Sequence, residues 1–171
     1  GYLPATLLFS MIKDMARKIL SRLLPGKKMA AGEAYDHWSA SYDHQSNNVL
    51  IALDELLFNQ LRQLVSFKDK IVLDIGCGTG RHWPAMIKEG PAEVIGYDIS
   101  EGMLQKLRQK FPGAHTHLLH ADQLTATPDQ YCDIIISTLT LGYIRDLKAT
   151  FSEWNRVLKP RGNLLVTDFL P

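Results

Sequence analysis

Ile71-Val72-Leu73-Asp74-Ile75-Gly76-Cys77-Gly78-Thr79-Gly80 is the stretch whose reading decides the fold. Its apolar, β-branched opening is the pattern of a strand buried on both faces of a parallel sheet. Glycines then fall at every second position, where the absence of a side chain lets the backbone turn sharply and lets a ligand approach the main chain. Apolar spacing resumes after Gly80, so a helix is expected to follow, with free loop amides facing whatever binds. A second apolar stretch ends in Asp98, 22 residues after Gly76. Strand, glycine loop, helix, strand and acid in that order predict a nucleotide-like ligand. The dinucleotide fingerprint G-x-G-x-x-G requires a third glycine where Arg81 stands, which weakens a dinucleotide reading.

The stretch present is D-x-G-x-G-x-G, and four later stretches accompany it. They are Y-D-I-S-x-x-M-L (Tyr97 to Leu104), Ala121-Asp122, C-D-I-I-I-S (Cys132 to Ser137) and R-V-L-K-P-R-G-N-L-L-V-T-D (Arg156 to Asp168). Together they resemble, in order and spacing, the motifs of the class I S-adenosylmethionine-dependent methyltransferases, over about residues 33 to 169. The resemblance implies S-adenosylmethionine as cofactor and a small-molecule methyl acceptor. It implies that Gly76, Cys77, Gly78 and Gly80 form the cofactor loop, that Ile99 packs on the adenine and that Asp122, followed by Gln123, meets the adenine amino group. Asp98 is placed to accept both ribose hydroxyls on its two oxygens. Asp74 is expected to steady the loop amides, to reach the methionine amino group or to serve structure alone. Ser137 and Thr138, ending a strand, point into the crevice where ligands bind in open α/β sheets.

Glu33 to Asn47 mixes aromatics with Asp36, His37, Asp43 and His44, poor material for a core. It is similar to the segment that covers the cofactor in relatives acting on small molecules and quinone precursors, which makes Tyr35 and Tyr42 candidates to line the site. His37, His44 and Tyr35 are weak candidates for a catalytic role such as general base. His115, His117 and His120 lack a matching set of cysteines or carboxylates, and no metal site is expected. The loop Thr138 to Ile144 is apolar, which favours an apolar acceptor.

Strands are expected at 70–75, 92–97, 115–119, 131–137 and 162–168, and helices near 81–89, 101–110 and 146–158. This is a doubly wound, mostly parallel, Rossmann-like α/β sheet of about five strands preceded by helices. Leu50, Leu53, Leu57, Leu61 and Leu64 recur at helical spacing and are expected to face the core. Pro84 should lie in a helix's first turn, Ser100 should cap a helix, and Pro160-Arg161-Gly162 should end one. The family resembled carries two further strands at one edge. The edge of Leu164, Leu165 and Val166 is therefore expected to be covered, by a second copy or by the N-terminal region, since an open apolar edge invites association.

With 171 residues, 46% of them hydrophobic and 22% charged, the composition suits a folded globular domain rather than a disordered chain. Residues 1–32 read as an amphipathic helix and linker, and 33–171 as the methyltransferase-like domain. The helix has six basic residues and one acid up to Lys28, but its apolar face lacks Trp. Packing on protein is expected over a membrane surface. A net charge of +1 implies no global pull toward nucleic acid. Two cysteines without C-x-x-C spacing, no run near the roughly 20 apolar residues that span a bilayer and no signal-peptide charge order point to the cytoplasm. The alternative to an enzyme is a catalytically silent methyltransferase-like binding or scaffold protein.

Overall fold

The computed structural model describes residue 36, residues 49–121 and residues 123–168. The amphipathic stretch at 1–32, together with Tyr35, His37, Tyr42, His44 and Asp122, lies outside them. Helix α1 (Val49–Leu61) runs into a short 3-10 turn and leads to strand β1 (Ile71–Ile75). Helix α2 (Trp83–Ile87), strand β2 (Glu93–Asp98), helix α3 (Glu101–Lys110) and strand β3 (His115–Leu118) follow. Strand β4 (Cys132–Thr138), a 3-10 turn at Leu141–Tyr143, helix α4 (Leu147–Val157) and strand β5 (Leu158–Thr167) complete the described order.

Among the described residues all four strand pairings are parallel, and the sheet order is β3-β2-β1-β4-β5. Leu73 stands opposite Ile95 on one side and Ile135 on the other, so β1 is the central strand; its successive residues are apolar because both faces of the sheet are covered. Val72, Ile134, Ile136 and Leu165 pack with Phe58, Trp83, Leu104 and Leu107 on one face. Leu73, Ile75 and Ile135 pack with Leu124, Trp154 and Val157 on the other. The chain winds outward from β1 to β3 and then returns to β4 beside β1. That reversal opens a crevice at the carboxyl ends of β1 and β4, where ligands enter open α/β sheets.

Local rules explain several boundaries. Pro84 sits in the first turn of α2, where its missing amide costs nothing. The Ser100 hydroxyl accepts the Met103 amide at 3.1 Å and caps α3. Asp146 does the same for α4 through the Ala149 amide at 2.9 Å.

Two expectations are corrected. Pro160-Arg161-Gly162 does not end a helix but lies inside β5. There Cys132 pairs with Leu158 and Ile134 with Asn163, so the intervening residues of β5 fold out as an irregularity. Arg161 carries a φ of 66° there, and a bulge is where a sheet tolerates proline. Helix α1 is also turned from its leucine-based reading. Leu53, Leu57 and Leu64 are exposed, and the buried residues are Asp54 and Phe58, with Leu61 packed against the same core.

The Asp54 carboxylate decides that orientation. Its Oδ2 accepts from Arg81 at 2.6 Å and pairs with the His82 ring at 2.9 Å, and its Oδ1 accepts from the Thr167 hydroxyl. Burial pushes the Asp54 carboxyl up, but the His82 and Thr167 bonds and the Arg81 charge outweigh it and the net direction is downward. His82 also stacks on Phe58, with ring centroids 4.0 Å apart. Removing one partner of such a cluster strands the others. Asp54→Ala is expected to cost about 3 kcal/mol or more in chemical denaturation, whereas Leu64→Ala on the exposed face should change stability by less than about 0.5 kcal/mol.

Candidate functional site

The glycine loop is built against the end of β2. The amides of Gly76 and Cys77 both donate to the Tyr97 carbonyl, at 2.7 and 3.1 Å, and the Gly80 amide donates to the Cys77 carbonyl at 2.9 Å. The Gly78 amide donates to Asp98 Oδ2 at 2.8 Å. These four amides are thus used inside the protein, which corrects the expectation that they stand free for a ligand. The loop arrives preformed, and what it offers is space and shape.

That space is located by the glycines. Gly76 has a φ of 76°, and a Cβ there would come within 2.0 Å of Thr140 Oγ1, so the loop after β4 lies directly on it. At Gly80 a Cβ would press on Leu107 of α3 and on Phe111, which caps that helix's carboxyl end. At Gly78, with φ 53°, a Cβ would meet nothing within 4 Å. Gly76 and Gly80 are therefore packing glycines, and Gly78 faces open volume.

Asp98 ends β2 beside that volume. Its Oδ1 accepts the Ser100 amide at 2.9 Å while Oδ2 holds Gly78, which fixes the carboxylate plane and leaves it further acceptor capacity. Burial pushes its carboxyl up, the amides of Ser100, Gly78 and Ile99 oppose this, and the nearby Asp36 carboxylate adds to the rise. Asp36 accepts from Ser100 Oγ at 2.5 Å and from the Gly102 amide at 3.0 Å. Ile99 is half-buried and Gln123 is exposed. Gln123 lies in a loop held to α4 by Trp154 Nε1 on the Ala121 carbonyl at 2.9 Å and by Arg156 on the Leu124 carbonyl at 3.0 Å.

Asp74 grips a side chain. Its Oδ2 accepts the Trp83 indole N–H at 2.8 Å at the start of α2. Burial pushes the Asp74 carboxyl up to about 6, against the opposing pull of the nearby His82. The Cys77 thiol is turned into the core, where a Cβ added at Gly96 would meet its Sγ at 2.8 Å. Ser137, at the end of β4, is fully buried, and its hydroxyl finds no hydrogen-bond partner among the described residues. The histidines of β3 are otherwise engaged, His115 with Glu93 and His117 stacked on Tyr97. Among the described residues, no group of three or more His, Cys, Asp or Glu side chains could hold a metal ion. Sequence reasoning missed Thr140, Asp54 and the loop-side role of Arg81 and His82, because each acts on residues distant in sequence.

The described geometry agrees with comparisons to known proteins. Residues 73–166 match the methyltransferase domain family. The chain belongs to the class I S-adenosylmethionine-dependent methyltransferases. It is 35% identical over 142 residues to the malonyl-[acyl-carrier protein] O-methyltransferase of Yersinia pestis, covering 81% of this chain and 49% of that protein. To the Xylella fastidiosa protein of the same name it is 34% identical over 136 residues, covering 77% of this chain and 46% of that one. The crystal structure of an S-adenosylmethionine-dependent methyltransferase from Mesorhizobium loti superposes with a TM-score of 0.60 at 27% identity, covering 65% of this chain and 52% of that chain. The chain spans about half the length of the curated relatives it matches.

Two measurements test this geometry. Gly76→Ala must both strain a left-handed residue and displace Thr140, so it should lose more stability than Gly78→Ala, whose cost is the backbone term of about 1 kcal/mol. Asp74 titrates near 6 when folded against 3.8 as a free carboxyl. Between those values the folded state holds a proton that the unfolded state has released, so stability falls as pH rises. The penalty is complete above about pH 6 and amounts to about 3 kcal/mol. Denaturation of the Asp74→Asn variant from pH 4 to 7.5 should show that part of the slope removed.

Proposed function

We propose that this domain binds S-adenosylmethionine at the carboxyl edge of β1 and β2 and transfers its methyl group to a small acceptor. The observation that carries the reading is the open volume over Gly78 bordered by the fixed carboxylate of Asp98. The residues present fit such a ligand: the acceptor capacity left on the fixed Asp98 carboxylate suits a ribose hydroxyl pair, and the half-buried Ile99 supplies an apolar surface for the adenine. Asp122, with Gln123 beside it, is assigned to the adenine amino group, and Tyr35 and Tyr42 to the cover over the site. Asp74, next to the loop, is assigned to the cationic end of the cofactor.

When bound, S-adenosylmethionine supplies an electrophilic methyl carbon on a sulfonium, whose bond to sulfur breaks with the electron pair as the acceptor's lone pair forms the new bond. The protein's task is then to hold the acceptor atom in line and close to that carbon, which can supply about 7–11 kcal/mol of the barrier reduction. Where the acceptor carries a proton, His37, His44 or Tyr35 is positioned by sequence to take it. The relatives' names support an oxygen acceptor on an acyl-carrier-bound substrate as the first to test, ahead of a free apolar small molecule.

A cytoplasmic location is proposed from two free buried cysteines, and no helix among the described residues is long and apolar enough to cross a membrane. Among the described residues β5 pairs only with β4.

Isothermal titration with S-adenosylhomocysteine tests the cofactor reading. Asp98→Ala should weaken binding by about 1.5–3 kcal/mol, the value of hydrogen bonds to a charged acceptor, and wild-type affinity in that variant would remove Asp98 from the ribose. Methyl transfer to malonyl-acyl carrier protein or to a panel of small acceptors separates an enzyme from a silent binding protein.

A further inference from the structure

Asp36 lies far from α3 in sequence, yet its Oδ1 sits on the first turn of that helix, accepting the Ser100 hydroxyl at 2.5 Å and the Gly102 amide at 3.0 Å. Ser100 is engaged three ways. Its hydroxyl proton goes to Asp36, its hydroxyl oxygen accepts the Met103 amide at 3.1 Å, and its own amide donates to Asp98 Oδ1 at 2.9 Å. One residue therefore joins Asp36 to Asp98.

Capping alone does not explain this. Ser100 already caps α3 from within its own segment through the Met103 amide, and Asp36 satisfies a second first-turn amide, Gly102, but neither cap needs the Ser100 hydroxyl proton. What Asp36 adds is direction, because a free serine hydroxyl rotates, whereas one whose proton is taken by a carboxylate presents its lone pair to one place. The Ser100 backbone is then held at both ends of the residue, and its amide is aimed at Asp98. Asp36 also brings a second negative charge toward Asp98, a repulsion that the positive end of the ten-residue α3 offsets for both carboxylates.

We propose that Asp36 is a positioning residue for the cofactor site: docked on Ser100 and Gly102, it fixes through the Ser100 amide the orientation in which Asp98 meets the ribose. The inference rests on the reading of Asp98 as the ribose-binding acid. Without Asp36 the carboxylate must be ordered when the ligand binds, and that cost appears as lost affinity. Linkage makes the effect reciprocal, so a ligand on Asp98 tightens the docking of Asp36.

The test is isothermal titration of S-adenosylhomocysteine into the full chain and its Asp36→Ala, Asp36→Asn, Asp98→Ala and Asp36→Ala/Asp98→Ala variants, with ligand-free melting of each. Asp36 is exposed, so Asp36→Ala should melt close to wild type while binding about five- to tenfold more weakly, within the usual range of coupling between sites. Asp36→Asn keeps an acceptor oxygen for the same two donors and should restore most of the affinity. The double variant should bind no more weakly than Asp98→Ala, because Asp36 acts only through Asp98. Wild-type affinity in Asp36→Ala, additive losses in the double variant, or a large loss of ligand-free stability in Asp36→Ala would each overturn the proposal. A loss in Asp98→Ala with none in Asp36→Ala leaves the ribose reading standing and removes only this inference. A wild-type chain that fails to bind, or unchanged binding in Asp98→Ala, removes the ribose reading and this inference with it.

Discussion

A carboxylate with no exposure to solvent is tolerated only where the chain surrounds it with donors, and around Asp54 that demand ties together segments far apart in sequence. Asp54 lies on α1, Arg81 and His82 leave the glycine loop, and Thr167 ends β5. Meeting it turns α1 so that Asp54, Phe58 and Leu61 form the inward stripe. It also holds the exit of the loop at fixed distance from the sheet, because Arg81 additionally donates to the Ile51 carbonyl at 3.1 Å. An apolar residue at 54 would pack without specifying any of these relations. The ion cluster sets register where hydrophobic burial is indifferent to it.

The same economy of partners shapes the loop. Tyr97 gives its carbonyl to two loop amides and Asp98 gives one carboxylate oxygen to a third, so the end of β2 acts as the mould for the turn after β1. Thr140 presses on Gly76 from the opposite side. Because the loop is satisfied before any ligand arrives, little ordering remains to be done on binding, which is the physical content of preorganisation.

What could be read from sequence were features governed by neighbours along the chain. Ile71 to Ile75 and Cys132 to Thr138 are buried on both faces, so their apolar runs announced them within a residue or two. Ser100 and Pro84 act on amides three residues away or on none, and both were legible. The leucines of α1 misled because periodicity counts hydrophobes and ignores a polar residue with buried partners. Asp54 meets Thr167 113 positions later, and nothing local marks that. Pro160 was read as a helix end because proline punctuates helices and bulges alike, and only the pairing of β4 with β5 decides between them. The glycine positions were legible and their division of labour was not. Gly76 and Gly78 look the same until Thr140 is found beside one and open space beside the other.

Charge around the loop then argues which ligand class the site suits. A dinucleotide's pyrophosphate needs unspent amides at the start of a helix long enough to carry a dipole. Here the Gly76, Cys77, Gly78 and Gly80 amides are taken, and the helix that follows, α2, has five residues. The flanking carboxylates are Asp74 and Asp98, while the Lys110 ammonium spends a donor on the Thr79 carbonyl at 3.2 Å. Asp98 raises the proton affinity of Asp74, and Asp36 raises that of Asp98, each less than burial does but in the same direction. An anion brought to that place would add repulsion, whereas a cation would relieve it by stabilising the ionised form of both acids. Arg81, the nearest guanidinium on the loop, is committed to Asp54 and does not reverse the balance. A ligand that combines a sulfonium, an ammonium and a ribose diol satisfies this arrangement, and a diphosphate does not.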